Sequence, residues 1–185
     1  MEILTAAETS YDRLSTLASN IDPGQLDAPT SLPGWDVRTL LDHTLGFITA
    51  MTSCANGAPM AEQTTTGIVQ SDPVAAVKRT VFDSLTTWRR PAALDATTAT
   101  PLGPMTGAQA LALVVMETTI HSTDLARATG QDETIDPGVA TLVLGTLRAM
   151  PLDAIRAAGQ FGPEIPVPAD ATPAQQALAL TGRRP

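Results

Sequence analysis

The sequence predicts an all-α protein: a four-helix bundle with long crossover loops and a short C-terminal extension, part helical and part extended. Three observations carry this expectation. Four long segments repeat apolar side chains every three to four residues, the period of a helix with one buried face. Helix-start chemistry stands in front of three of them, with Asp36, Asp72 and Thr106 each at an N-cap position. No run alternates apolar and polar residues as a half-buried strand does. At 185 residues the chain is sized for one domain, spanning 1–185, with length enough for a core of its own.

Residues 3–20 place Ile3, Leu4, Ala7, Tyr11, Leu14, Leu17 and Ala18 on one stripe, and Asp-Pro-Gly at 22–24 ends the helix. APTSLPGWD, residues 28–36, is turn chemistry throughout, with Pro29, Pro33 and Gly34. The second helix follows Asp36 and runs to about Cys54, its stripe being Val37, Leu40, Leu41, Leu45, Ile48 and Met51. A polar connection over 55–71 is long for a bundle. The third helix has Asp72 as its cap and Pro73 at its first position, where a missing N–H does no harm. Val74, Val77, Val81, Leu85 and Trp88 mark its buried face, and Arg-Arg-Pro at 89–91 stops it. Residues 92–105, with Pro101 and Pro104, read as a second loop. Thr106 and Gln109 form a capping box for the fourth helix, which is expected to reach Thr129 before Gly130. Its first half is apolar nearly all round, as in a helix buried on several sides. A shorter fifth helix is expected over 137–149. The tail FGPEIPVPAD is extended by its prolines, and TPAQQALAL is a short helix.

Composition narrows the function. A net charge of −8 with only 11 Lys and Arg argues against a nucleic-acid partner, because neutralising phosphates needs a basic face. No apolar run approaches membrane-spanning length, so no membrane association is expected. The start, MEILTAAETSYDRL, lacks the basic and apolar regions of a secretory signal, and a cytoplasmic location is the expectation. A single cysteine, Cys54, excludes an internal disulfide and a cysteine-based metal cluster; it reads as an incidental small residue at a helix end.

The chemistry-bearing residues are few. The chain has two histidines, His43 and His121, both inside helical segments. On the fourth helix, Glu117, His121 and Asp124 fall on one strip with Ala110, Val114 and Ala128. On the second, His43 flanks the apolar stripe beside Leu40, Phe47 and Ala50. Two readings are open on spacing alone. Glu117 and His121, one turn apart, form a local ion pair worth about 0.2–0.5 kcal/mol. Alternatively they hold a metal ion together with His43 from a facing helix, as bundle cores do. Burying a carboxylate among Val and Ala without compensation would be costly, which brings the shared ion level with the local pair and leaves both open.

Three motifs carry a family resemblance. PTSLPGWDVRTLLDHTLGFI holds a Pro-Gly-Trp turn followed by Leu-Leu-Asp-His, and ETTIHSTDLARATGQ holds a histidine followed by Ser-Thr-Asp-Leu-Ala-Arg-Ala-Thr-Gly. With the ending FGPEIPVPADATPAQQALALTGRRP, they resemble the DinB-like bundles related to the N-terminal domain of mycothiol-dependent maleylpyruvate isomerase, in a small single-domain branch. The resemblance implies a divalent metal, zinc with nickel as the alternative, held by His43, Glu117 and His121. It implies a structural place for Trp35 under its loop, and for Asp124 a supporting role behind the ligands or a packing role with Arg127. It further implies mycothiol or another low-molecular-weight thiol as cofactor, and a thiol-dependent transferase or isomerase acting on a small electrophile. No counterpart of the isomerase's second domain is expected in this chain, so thiol use stands one step behind metal binding. A non-catalytic metal-binding scaffold or sensor, and a metal-free acid/base enzyme using the same pocket, are the alternatives. The loops at 55–71 and 92–105 are expected to shape the entrance, and Met60, Met105 and the Pro-rich tail to cover a homodimer surface.

Overall fold

The computed structural model describes residues 1–58, 66–70, 72–100 and 103–185. Its bundle consists of α1 (Ile3–Ser19), α2 (Val37–Ala55), α3 (Pro73–Trp88) and α4 (Gly107–Thr129). α1 and α2 each pack against both α3 and α4, closing a four-sided core. α5 (Pro137–Arg148) then covers another side of α4, and the shorter α6 (Leu152–Ala157) and α7 (Pro173–Leu180) follow, with α7 against α5. This arrangement explains the composition of α4. It touches α1, α2 and α5, so Ala110, Leu111, Val114 and Val115 are all fully buried.

The caps form as the sequence anticipates. Asp36 accepts from Thr39 N at 2.7 Å, and Asp72 from Ala75 N at 2.9 Å. Thr106 and Gln109 make the reciprocal pair that starts α4, and Thr172 and Gln175 make another that starts α7. Inside the bundle the Tyr11 hydroxyl and Ser84 Oγ share a hydrogen bond of 2.7 Å, joining α1 to α3 without leaving either buried group unpaired. Cys54 is buried, and burial pushes its thiol up, away from nucleophile chemistry.

Two elements differ from expectation. Within the 92–105 loop, Thr97–Thr100 and Gly103–Thr106 pair as antiparallel strands, β1 and β2, with Thr97 opposite Thr106. Four threonines supply strand-forming backbone, and Pro104 is tolerated because a two-stranded ribbon has only edges. β1 lies on α2 and buries Thr98, which stabilises a ribbon too small to stand alone. The second is α6, a short helix capped by Pro151 in a stretch too brief to show a period. Met105 packs against the core, and Met60 lies outside the described residues. Among the described residues no helix is long and apolar enough to cross a membrane.

The long connection after α2 is tied down by a residue that spacing did not flag. Asp42 is buried on α2, and its two carboxylate oxygens accept from Gly67 N at 2.8 Å and Val69 N at 2.7 Å. Val69 thereby enters the core. Replacing Asp42 with alanine takes the acceptor from both amides, and that of Val69 lies in the core. A loss of about 2–4 kcal/mol in urea denaturation is expected, with faster amide exchange at Gly67 and Val69. A loss below about 0.5 kcal/mol would mean the clamp contributes nothing.

Candidate metal centre

α2 and α4 are neighbours, and the two histidines and Glu117 meet between them. Glu117 Oε1 lies 2.7 Å from His43 Nε2 and 3.1 Å from His121 Nε2. One donor atom from each residue lies within 4.8 Å of the other two, and among the described residues no other group of His, Cys, Asp or Glu converges in this way. Their side chains are 23%, 13% and 10% exposed for His43, Glu117 and His121, so the cluster is nearly enclosed and most open at His43.

The donor set fits a divalent metal. Two imidazoles and one carboxylate are zinc-type ligands, and three of them leave one position open. Bonds of about 2.0–2.2 Å in a tetrahedron would set neighbouring donors roughly 3.3 Å apart, against 2.7 and 3.1 Å here from Glu117 to the two imidazoles. The further ring nitrogen of His121 is also spoken for. Its Nδ1 lies 3.1 Å from Asp124 Oδ2, which fixes the ring with Nε2 turned toward Glu117.

The charges of the cluster depend on one another. Burial alone would push the Glu117 carboxyl up, but the His121 and His43 rings against it hold it well below the usual carboxylate range. Burial likewise disfavours a charged His121, yet Glu117 on one nitrogen and Asp124 on the other overcome this and raise it to about 9. Without a metal, His121 is thus a buried imidazolium donating from both nitrogens. Asp124 is buried as well, and its bonds from His121 and Arg183 outweigh that burial and keep it ionised.

A closed turn frames the site. Thr30 N and Oγ1 each donate to Trp35 O at 2.9 Å, and Trp35 N donates to Leu32 O at 3.1 Å. Gly34 takes φ +79, which only glycine adopts without strain. This turn aims the Trp35 ring at the cluster, its centroid 4.7 Å from the His43 ring and 6.1 Å from the His121 ring. Trp35 packs at the core edge as expected, but it is also a wall of the site.

All four residues singled out in the sequence come together, with one correction. Asp124 does not pair with Arg127, which reaches Glu133 at 2.6 Å instead. The partner of Asp124 is Arg183, 2.8 Å away. The two stand 59 positions apart, and no local spacing reveals that pair.

Two imidazoles and a carboxylate gathered between two core helices are the kind of arrangement from which helical bundles build ligand centres. The family follows from the sequence match: residues 7–126 fit the mycothiol maleylpyruvate isomerase N-terminal domain, and the chain belongs to that family. Two relatives, uncharacterized proteins of Mycobacterium tuberculosis strains CDC 1551 / Oshkosh and ATCC 25618 / H37Rv, are each 30% identical over 185 residues. The alignments span 99% of this chain and 98% of theirs. The fold is shared with crystal structures of the mycothiol-dependent maleylpyruvate isomerase and of a single-site mutant of it. Their TM-scores are 0.61 and 0.60 at 20% identity, over 80% of this chain and 67% of those.

The charge balance makes a pH prediction for protein stripped of metal. His121 titrates higher in the fold, at about 9, than the ordinary histidine value of about 6.5 in the unfolded chain, so the folded state binds the extra proton. The stability this adds is complete below about 6.5 and is lost as pH rises through about 9. Urea midpoints measured in chelator are expected to fall across that window, and His121→Gln to remove the slope. A rising midpoint would contradict the assignment.

Proposed function

We propose that this protein is a divalent-metal bundle, zinc in the first instance and nickel as the alternative, that serves thiol-dependent transfer or isomerisation of a small electrophilic metabolite. The observation that carries this reading is the gathering of donor atoms from His43, Glu117 and His121 within 4.8 Å of one another. Membership of the mycothiol maleylpyruvate isomerase N-terminal domain family supports the thiol as mycothiol or a similar small thiol.

In this reading His43, Glu117 and His121 hold the metal. When bound, the metal supplies a Lewis-acid position at which a small thiol is held as thiolate at neutral pH. The protein's own groups do the rest. Asp124 accepts from His121 Nδ1–H and keeps the opposite nitrogen free of a proton for the metal. Trp35 covers the two rings and limits water around them. Glu117 lies against both imidazoles and brings negative charge that partly offsets a dication in a nearly dry site.

Metal analysis and fluorescence test the reading together. Purified protein is expected to take up about one equivalent of zinc or nickel per chain, and His43→Ala to reduce this by at least about tenfold in affinity. In a Trp88→Phe background, nickel is expected to quench the remaining Trp35 emission, because that ring stands against His43. Conjugation of a small thiol to a generic electrophile is expected to stop on adding chelator and in His43→Ala. No uptake of either metal would end the metal reading; uptake with chelator-insensitive conjugation would leave a bundle that binds metal for another purpose.

A further inference from the structure

Asp124 connects the centre to a part of the chain far away in sequence. Its side chain is fully buried, and its Oδ2 takes His121 Nδ1 at 3.1 Å on one side. On the other it takes the fork of Arg183, Nη2 at 2.8 Å and Nε at 3.2 Å, with Oδ1 also 3.2 Å from Nε. Arg183 is itself nearly buried, its side chain 9% exposed, and its Nη1 donates to Thr181 O at 3.1 Å. A forked guanidinium fixes the plane of a carboxylate as well as its position.

The segment bearing Arg183 is seated by several independent contacts. Arg183 N closes the end of α7 on Leu178 O at 2.9 Å, and Gly182 N donates to Ala179 O at 3.0 Å. Gly182, at φ +80, packs against Gly162 so closely that an added Cβ would lie 2.6 Å from Gly162 Cα. Arg127 Nη2, one turn beyond Asp124 on α4, donates to Arg184 O. Residues 181–184 thus form a strap whose Arg183 side chain ends on the carboxylate behind His121. This strap lies outside the 7–126 segment that carries the family match.

We propose that Arg183 is a positioning residue of the metal centre: it locks Asp124, Asp124 locks the His121 ring, and metal binding at the centre is therefore coupled to docking of the C-terminal strap. This rests on the reading of His43, Glu117 and His121 as metal ligands. The physical cause is pre-organisation. Without Arg183 the Asp124 carboxylate turns more freely, and the His121 ring loses the hold that aims Nε2 at Glu117. Outer groups of this kind change metal affinity by about 10–100-fold when removed. Coupling is reciprocal, so whatever the strap adds to metal affinity, metal adds to the docking of the strap.

Zinc titration of the metal-stripped full-length chain, by competition with a chelating dye, tests this on wild type, Arg183→Met, Arg183→Lys and Arg184→Met. The expected result is a loss of about tenfold or more in Arg183→Met, a smaller loss in Arg183→Lys, and less than about twofold in Arg184→Met. Amide exchange at Gly182 and Arg183 is expected to slow on adding zinc to wild type but not to Arg183→Met. Should Arg183→Met fold poorly, the lysine variant carries the comparison, because it keeps a cation at the site. Wild type and both Arg183 variants binding zinc alike, with strap exchange indifferent to zinc, overturns the coupling and leaves the metal reading standing. Wild type failing to bind zinc or nickel overturns the metal reading, and the coupling with it.

Discussion

The rest of the structure depends on a carboxylate that cannot be buried alone. Glu117 sits between two helices with little access to water, and its charge is tolerable only because an imidazole lies on each side. One of these, His121, is buried in turn and leans on Asp124; Asp124, buried too, leans on Arg183. The chain of charges alternates in sign from Glu117 to Arg183 and stays largely buried along its length. Each link removes the desolvation problem of the one before it. A core helix can therefore carry three ionisable groups, provided α2 supplies His43 and the C-terminal segment supplies Arg183.

The bundle was largely legible in the sequence because the information it needs is local. Apolar spacing and N-cap side chains act over one or two turns, and Asp36, Asp72 and Thr106 cap the helices they precede. The ligand-type residues were legible for a related reason. Glu117 and His121 share a helix face whatever surrounds them, and a chain with only two histidines offers few candidates for a third donor. What escaped were contacts across long sequence separations, Asp42 with Gly67 and Val69, and Asp124 with Arg183. Their geometry is set by tertiary packing, which no periodicity records. The ribbon at 97–106 escaped for another reason: it is stabilised by lying on α2 more than by its own alternation.

The closeness of Trp35 to both histidines shows how a turn motif can serve fold and site together. Thr30 and Leu32 close the turn on the backbone of Trp35, and Gly34 allows the reversal that sends the indole inward. The same turn, through Ser31, Leu32 and Pro33, lines a cleft of about 770 Å³ that Thr181 to Pro185 also line. The turn and the C-terminal segment thus share a cleft while touching different members of the charge chain.

Asp42 and His43 are consecutive on α2, so they leave the helix about 100° apart and meet different surroundings. His43 faces the centre, and Asp42 grips the backbone of the loop beyond the helix. A helix of this girth that rolled by about 20° on its axis would sweep a side-chain tip through roughly 2 Å, enough to spoil a three-donor cluster. The loop amides at Gly67 and Val69 resist that roll. A stretch of backbone with no chemistry of its own acts as a rotational stop for α2 and sets the angle at which an imidazole enters the core.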